Sequence, residues 1–467
     1  MSQPYITAPL KTDKMPPGIP YIIGNEAAER FNFYGMRAIL VVFMTQYLVN
    51  REGLPAPMSE NEANQWYHWF LASNYFFPML GAILADAFWG KYRTIFWISL
   101  VYCAGSVVLA LDHTRWGLGI GLGLIALGAG GIKPCVSSNV GDQFGQDNQH
   151  LLSRAFGWFY FSVNFGSFFS ILLIPWLLKN YGPGPAFGLP AGLMLLATFV
   201  FWSGRYKFAH IPPKGSFRKP VETWESFKAE TFNAEGLSAI GRLAILFIFV
   251  AIFWSLWDQS GGEWVLQAAK MDLQFAGITW IASQIQALNA IMILAFIPLF
   301  QYLIYPAIDK VFPLTPLRKI GLGLIVTGLS FFVSAWIETQ ISAGLRPNIG
   351  WQIPAYALLS AGEVMVSITA LEFAYTQAPK HMKSIVMALY LLSVSAGNAF
   401  TALVHWFIAN PDGTTKLQGA SFYVFFACLS IGCVAVWVFV AKAYQEKVYL
   451  QGGPTAAEIE VETIETP

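Results

Sequence analysis

The chain has 467 residues, of which 55% are hydrophobic and only 12% are charged. Soluble domains carry about 25% charged residues, so this composition excludes an ordinary soluble protein and indicates an integral membrane protein. The formal net charge of +1 offers no basic surface for a nucleic-acid partner, and the four cysteines have no metal-ligand spacing.

Apolar stretches long enough to cross a bilayer recur along the chain, and each stretch predicts a membrane helix. The first set of predicted helices covers residues 22–50, 64–88, 92–112, 115–138, 152–180 and 185–204. The second set covers residues 240–268, 276–308, 316–338, 350–377, 382–409 and 418–446. We therefore predict an all-α membrane protein with about twelve spans in two six-helix bundles.

The polar stretches between and beyond these helices predict the domain boundaries. The predicted units are an N-terminal segment at 1–20, a first bundle at 21–204, a linker at 205–239, a second bundle at 240–446 and a disordered tail at 447–467. The linker is basic, and an amphipathic helix is predicted near residues 221–235. No signal-peptide core is found in the first 20 residues.

The distribution of lysine and arginine predicts the orientation. If both termini and the linker lie on one side, most of the 28 basic residues lie there. The opposite side then holds six: Arg51, Arg115, Lys179, Lys270, Arg346 and Lys416. Because positive charge accumulates in cytoplasmic loops, we expect both termini to be cytoplasmic.

Two six-helix halves joined by a cytoplasmic linker are typical of major facilitator transporters. The loop after the second predicted helix, GAILADAFWGKYR, supports this fold. Its Gly81, Asp86, Gly90, Lys91 and Arg93 are similar to the loop pattern of that superfamily. A charged turn that merely obeys the positive-inside rule is the alternative, but it does not explain the glycine and aspartate spacing.

The first predicted helix carries charges, in the stretch GNEAAERFNFYGMR. An ionised side chain at the centre of an isolated membrane helix costs about 2.5–3.5 kcal/mol. Helical spacing places Glu26, Glu29, Arg30, Tyr34 and Arg37 on one stripe. Glu26 could lie in the interface, but Arg37 is about 10 Å further along the helix than Arg30. The stripe must therefore line a cavity or pair with other helices.

Other predicted spans contain isolated ionisable residues. Lys133 lies in the first half, and Asp258 and Glu363 lie in the second half. His68 is also intramembrane, where a hydrogen bond between helices competes with a role in proton transfer. With Arg37, the cations come from the first half and the acids from the second. A cavity between the halves would suit a zwitterion with a separated carboxylate and ammonium group.

Five motifs together resemble the proton-dependent oligopeptide transporter family, over about residues 21–400. They are NEAAERFNFYG, GIKPCVSSNVGDQF, FGWFYFSVNFGSFFS, IFWSLWDQSGGEWVLQA and SAGEVMVSITALEFAYTQAPKHMKS. The resemblance implies a proton-coupled symporter that imports di- and tripeptides by alternating access, and not an enzyme.

The resemblance also implies a substrate site. Its predicted members are Arg37, Tyr34, Tyr75, Lys133, Asn164, Asn289, Glu363 and Tyr390. By analogy with the family, Arg37 and Lys133 are expected to meet the peptide carboxylate. Glu363 is expected to meet the amino terminus with help from the two asparagines, and Tyr34 and Tyr75 to hold the peptide backbone.

Proton coupling is implied for a second set, namely Glu26, Glu29, Arg30, Lys133, Asp258 and His68. Arg37 and Asp258 are expected to pair as an extracellular gate. The resemblance implies no cofactor other than the proton as coupling ion, and no metal. We expect a multi-pass protein of the cell membrane (the inner membrane in a bacterium) that acts as a monomer in the lipid bilayer on peptides and protons.

Two positions depart from the family pattern. Phe33 stands where the first-helix signature has tyrosine, and Tyr390 stands where tryptophan is usual. A transporter of nitrate or another small anion is the alternative function, although such an ion has no use for Glu363. A receptor or scaffold does not need charges inside its spans, and no protease motif supports a membrane peptidase.

Overall fold

The computed structural model describes residues 5–213, 220–231, 233–377, 383–411 and 414–444. This part of the chain is almost entirely helical, which confirms the predicted all-α fold. The strands found in it are β1 (Gln274–Phe275) and β2 (Ile278–Thr279), which pair antiparallel in a short hairpin. Ala276 and Gly277 turn the chain with positive φ angles of 53° and 77°.

Six long helices form the first half. They are α1 (Ile19–Gln46), α2 (Glu60–Ile83), α3 (Lys91–Leu111), α4 (Arg115–Gly141), α5 (Leu152–Tyr181) and α6 (Pro183–Ser203). Side chains cap two of them, since Ser59 accepts from the Glu62 amide at the start of α2 and Thr114 from the Gly117 amide at the start of α4.

The described residues of the linker and the second half form ten α-helices, and some spans consist of two of them. They are α7 (Pro220–Thr231), α8 (Ala234–Trp257), α9 (Glu263–Ala269), α10 (Ala287–Leu299), α11 (Tyr305–Asp309), α12 (Pro316–Ser342), α13 (Gln352–Glu363), α14 (Thr369–Thr376), α15 (Lys383–Ile408) and α16 (Ala420–Ala443). A 3₁₀ turn at Asp258–Gly261 links α8 to α9, and a π turn at Val364–Ile368 links α13 to α14.

Eleven helical segments of the described chain are long and apolar enough to cross a membrane. Helix α1 is not one of these eleven, because its four charged residues reduce its mean hydropathy. It has 28 residues, and the four charged side chains are buried inside the protein. With α1 included, the described segments match the predicted spans within a few residues. The amphipathic helix predicted near 221–235 is α7, which ends at Thr231 before Asn233 caps α8. The predicted tail at 447–467 lies outside the described residues.

The apolar core forms two large clusters. The first cluster consists of buried side chains from residues 19–208 together with Val265 and Leu266. The second cluster consists of buried side chains from residues 243–437. Within the first cluster, α1 packs against α2, α4, α5 and α6. Helix α2 packs against α15 and helix α5 against α10, and both contacts belong to the seam between the halves. Helix α1 also contacts α9 and the 3₁₀ turn at Asp258–Gly261, which places its Arg37 at this seam.

Glycines allow the helices of the first half to approach closely. A Cβ atom on Gly81 of α2 would overlap the backbone carbonyl of Gly131 in α4. A Cβ atom on Gly105 of α3 would lie 2.8 Å from the carbonyl oxygen of Gly121 in α4. Small residues at helix crossings permit such contacts, which gives the glycine of the loop pattern GAILADAFWGKYR a packing role.

We expect Gly81→Ala to destabilise the protein by about 1–3 kcal/mol, because the added methyl group must push α2 away from α4. The measurement is the thermal unfolding midpoint of the detergent-solubilised protein. The matched control is Gly24→Ala in α1, where no atom lies within 4 Å of the added carbon. Equal midpoints for the two variants would contradict the close crossing.

Candidate functional site

A buried ion pair joins the two halves at the seam. Arg37 of α1 is 3% exposed, and its Nη2 atom lies 2.7 Å from Oδ1 of the fully buried Asp258. Asp258 begins the 3₁₀ turn that interrupts the span of α8 and α9. The Arg37 Nε atom donates a hydrogen bond of 2.7 Å to the Tyr67 hydroxyl. The structure therefore brings the two predicted gate residues into contact, while their role in gating stays a prediction.

The second oxygen of Asp258 leads to His68. Asn398 of α15 donates from Nδ2 to Asp258 Oδ2 at 2.6 Å and to the Val394 carbonyl at 3.0 Å. Its Oδ1 atom is therefore the acceptor for His68 Nδ1, which lies 2.8 Å away. We call this buried set, Tyr67, Arg37, Asp258, Asn398 and His68, the gate network. It connects helices of both halves.

Glu363 is hydrogen-bonded to the Trp257 indole. The Trp257 Nε1 atom donates to Glu363 Oε2 at 2.7 Å, and Asn289 Nδ2 donates to the same oxygen at 2.8 Å. The Arg37 guanidinium carbon lies 5.1 Å from the centroid of the Trp257 ring, within cation–π range. One indole thus contacts a cation of the first half and an acid of the second half.

Lys133 of α4 faces aromatic rings. Its Nζ atom lies 4.5 Å from the ring centroid of Phe33 and 4.1 Å from that of Tyr75. Among the described residues it has no hydrogen-bond acceptor, although it interacts electrostatically with Glu29 and Asp258. The departure at Phe33 therefore removes a hydroxyl but keeps a ring face, which stabilises the ammonium group.

The predicted coupling residues of α1 form a second buried cluster. The Arg30 Nε atom lies 2.8 Å from Glu26 Oε1 and 2.5 Å from Glu29 Oε2. These side chains are at most 10% exposed, so the carboxylates depend on Arg30 for compensation of their lost hydration. Two carboxylates, one guanidinium and the nearby ammonium of Lys133 sum to zero charge. Glu26 is 5% exposed, so its carboxylate is compensated by Arg30 inside the protein, and its depth in the membrane stays a prediction.

The remaining predicted substrate residues are Asn164, Tyr34 and Tyr390. Asn164 on α5 and Tyr34 on α1 are half-buried, and Tyr34 packs edge-to-face on Phe33 with ring centroids 5.5 Å apart. Tyr390 is buried on α15, and its hydroxyl lies 3.1 Å from Ser367 Oγ in the π turn after Glu363. The contacts of these three residues leave their substrate roles as predictions.

Sequence reasoning missed Tyr67, Trp257 and Asn398 as members of the site. Each stands in a recognisable context: Tyr67 precedes His68, Trp257 precedes Asp258, and Asn398 is an amide inside an apolar span. A polar side chain in an apolar span needs a partner. That signal points to Asn398, but it does not indicate which partner.

A family sequence model, curated proteins and solved structures are all similar to this chain. Residues 92–224 and 220–421 match the sequence model of the POT family. The chain is 36% identical over 364 residues to Peptide transporter family 1 of Drosophila melanogaster, which covers 70% of this chain and 48% of that protein. The chain spans about half the length of the curated relatives it matches.

Solved structures are similar over nearly their whole length. The POT family transporter PepTSo superposes with a TM-score of 0.81 at 37% identity, covering 92% of this chain and 99% of that one. An auto inhibited POT family peptide transporter gives a TM-score of 0.82 at 36% identity, covering 94% and 99%. These likenesses confirm the predicted major facilitator architecture.

We expect Asp258→Asn to lower the free energy of unfolding by about 3–5 kcal/mol, because it leaves the buried Arg37 guanidinium without its counter-charge. Thermal or denaturant unfolding in detergent measures this loss. The control is Asp147→Asn, which changes an exposed carboxylate. A double variant with Arg37→Met should recover part of the stability, and additive losses would contradict the pairing.

Proposed function

Because the chain belongs to the POT family, we propose that it carries di- and tripeptides across the membrane in symport with protons. The names of its relatives support a peptide substrate, since the matched Drosophila protein and the auto inhibited structure are both described as peptide transporters. Multiple membrane spans and the major facilitator fold support alternating access as the mechanism.

The arrangement around Trp257 carries the proposal for substrate binding. Arg37 and Glu363 both contact this indole, so opposite charges from the two halves flank one apolar surface. A short peptide is a zwitterion whose charges are separated by its backbone. We assign its carboxylate to Arg37 and Lys133, and its amino terminus to Glu363 with Asn289.

The same arrangement argues against the small-anion alternative. Nitrate would be attracted by Arg37 and Lys133 but repelled by an ionised Glu363 across the indole. Glu363 Oε2 accepts hydrogen bonds from two neutral donors, Trp257 and Asn289. Neither donor neutralises the carboxylate, so the acid is able to bind a cation. A peptide satisfies both charges, so it suits the site better than an anion.

The proposed coupling uses Asp258 as a proton acceptor. A proton on Asp258 removes the charge that holds Arg37, so the guanidinium becomes available to the peptide carboxylate. The second cluster, Glu26, Glu29 and Arg30 with Lys133, is proposed to participate in proton release. With both termini in the cytoplasm, as the basic residues predict, Arg37 lies in the extracellular half of α1.

We expect reconstituted protein to accumulate dialanine when an inward proton gradient and an inside-negative potential are applied. A potential of 100 mV supplies about 2.3 kcal/mol for each charge carried, which corresponds to roughly 50-fold accumulation. Uptake of labelled dialanine into proteoliposomes measures this, with di-, tri- and tetrapeptides, amino acids and nitrate as competitors. Accumulation that survives a protonophore would refute coupling, and competition by nitrate alone would favour an anion transporter.

We expect Glu363→Gln to weaken the binding of a dipeptide with a free amino terminus by roughly 10- to 150-fold, since a charge-assisted hydrogen bond contributes about 1.5–3 kcal/mol. An N-acetylated dipeptide lacks the ammonium group and should be affected much less. Competition binding to the two ligands measures the difference.

The control for this variant is Glu372→Gln, an exposed acid in the same span as Glu363. It should leave the binding of both peptides unchanged. Equal weakening of the free and the N-acetylated peptide by Glu363→Gln would show that Glu363 does not meet the amino terminus.

A further inference from the structure

A polar cavity of about 120 Å³ lies at the end of the bundle opposite the N-terminus, where α2 and α16 begin and α12 and α15 end. Its walls include Glu60 and Asn61 of α2, Glu263 and Gln267 of α9, and Glu338 of α12. The gate network does not include any of these residues. The cavity therefore needs an explanation of its own.

A fully buried histidine, His405, lies next to this cavity. Asn61 donates from Nδ2 to the His405 backbone carbonyl at 2.9 Å, so its Oδ1 atom faces His405 Nδ1, 2.8 Å away. This contact places the imidazole proton on Nδ1 and leaves a lone pair on Nε2. Nε2 is completely buried and has no hydrogen-bond partner among the described residues.

The unpartnered nitrogen faces a carboxylate that lines the cavity. His405 Nε2 lies 3.7 Å from Glu263 Oε1. Asn64 donates to the same Glu263 oxygen at 2.9 Å, which holds the carboxylate in place. Two acceptors thus face each other with no hydrogen between them. A proton on either atom, with an approach of about half an ångström, would make a normal hydrogen bond.

We propose that Glu263 and His405 together bind one proton from the outer compartment, at a site distinct from the gate network. The proposal rests on the proposed function for its physiological role, since a symporter must capture protons from that side. The cavity provides the route for water and hydronium, and Glu263 is the member of the pair that reaches it.

The charges around the pair favour a bound proton. Glu60, Glu263 and Glu338 contribute three negative charges to the cavity, and Lys270 contributes one positive charge. Lys270 is already engaged by Glu60, with Nζ 2.7 Å from Oε2, and Glu338 accepts a hydrogen bond from Gln267. The Tyr423 ring closes another wall and adds no charge. The excess of two negative charges attracts a cation.

The pair also touches the gate network and the seam. The ring of His405 stacks on that of His68, with centroids 6.0 Å apart and 16° between the planes. A positive charge on His405 disfavours a second positive charge on His68, so His68 stays neutral and bonded to Asn398. Because Asn61 and Asn64 belong to α2, hydrogen bonds join both members of the pair to the first half.

Infrared difference spectroscopy of proteoliposomes between about pH 8 and about pH 5 tests the site directly, since histidine is the group that titrates in this range. We expect carboxyl and imidazole bands in the unaltered protein that are lost or shifted in both Glu263→Gln and His405→Gln. The control, Glu62→Gln, alters a carboxylate of α2 that pairs with Arg115, and should keep the bands. Spectra unchanged in both test variants would overturn the proposal.

Transport assays separate this proposal from the proposed function. We expect Glu263→Gln to shift the external pH for half-maximal driven dialanine uptake by about one unit, as the loss of a charge within 4 Å does. Counterflow exchange at equal pH should persist, which shows that the variant folds. An unchanged pH profile would overturn the site, whereas absent driven uptake in the unaltered protein would overturn the proposed function and leave the infrared test valid.

Discussion

The structure depends on one constraint: a charge inside a membrane protein must find its partner within the protein. Four charged residues lie on α1, each costing about 2.5–3.5 kcal/mol if it faced lipid. This cost favours a central position for α1, which packs against α2, α4, α5 and α6 with all four charges buried inside the protein. Arg30 is compensated within α1 by Glu26 and Glu29, but Arg37 takes its partner, Asp258, from the other half. The demand for compensation therefore helps to determine how the halves meet.

A buried ion pair suits the gate that is proposed for Arg37 and Asp258. The cost of removing two charges from water nearly cancels their attraction, so such a pair adds little net stability, although removing one partner alone is expensive. Apolar packing of the same area would hold the halves together at every pH. In the proposed cycle, the contact through Arg37 and Asp258, extended by Asn398 and His68, instead depends on protonation.

The predictable features were those in which a local pattern has one physical outcome. Long apolar stretches predict membrane spans, because such stretches are stable in lipid and not in water. The charges within them predict the candidate site, because an ionised side chain in a span must face the protein interior or a polar cavity. The pairing of Arg37 with Asp258 was predicted by resemblance to a family, and the two residues are 221 positions apart in the sequence. The contacts of Asn398, Tyr67 and His405 follow from packing between helices far apart in sequence. The turns at Asp258 and Val364, and the orientation of Lys133 toward two rings, also depend on neighbours that no local pattern reveals.

In the proposed cycle, these contacts make peptide and proton bind cooperatively. When the peptide carboxylate takes Arg37, an ionised Asp258 keeps the amide of Asn398 as its hydrogen-bond donor among the described residues and loses its nearest counter-charge. A proton on Asp258 removes that penalty, so each ligand raises the affinity for the other by the same factor. Trp257 extends the linkage, because the indole that lies against Arg37 also donates to Glu363, where the amino terminus is proposed to bind. Coupling then requires no long-range pathway, only that one guanidinium cannot serve two carboxylates at once.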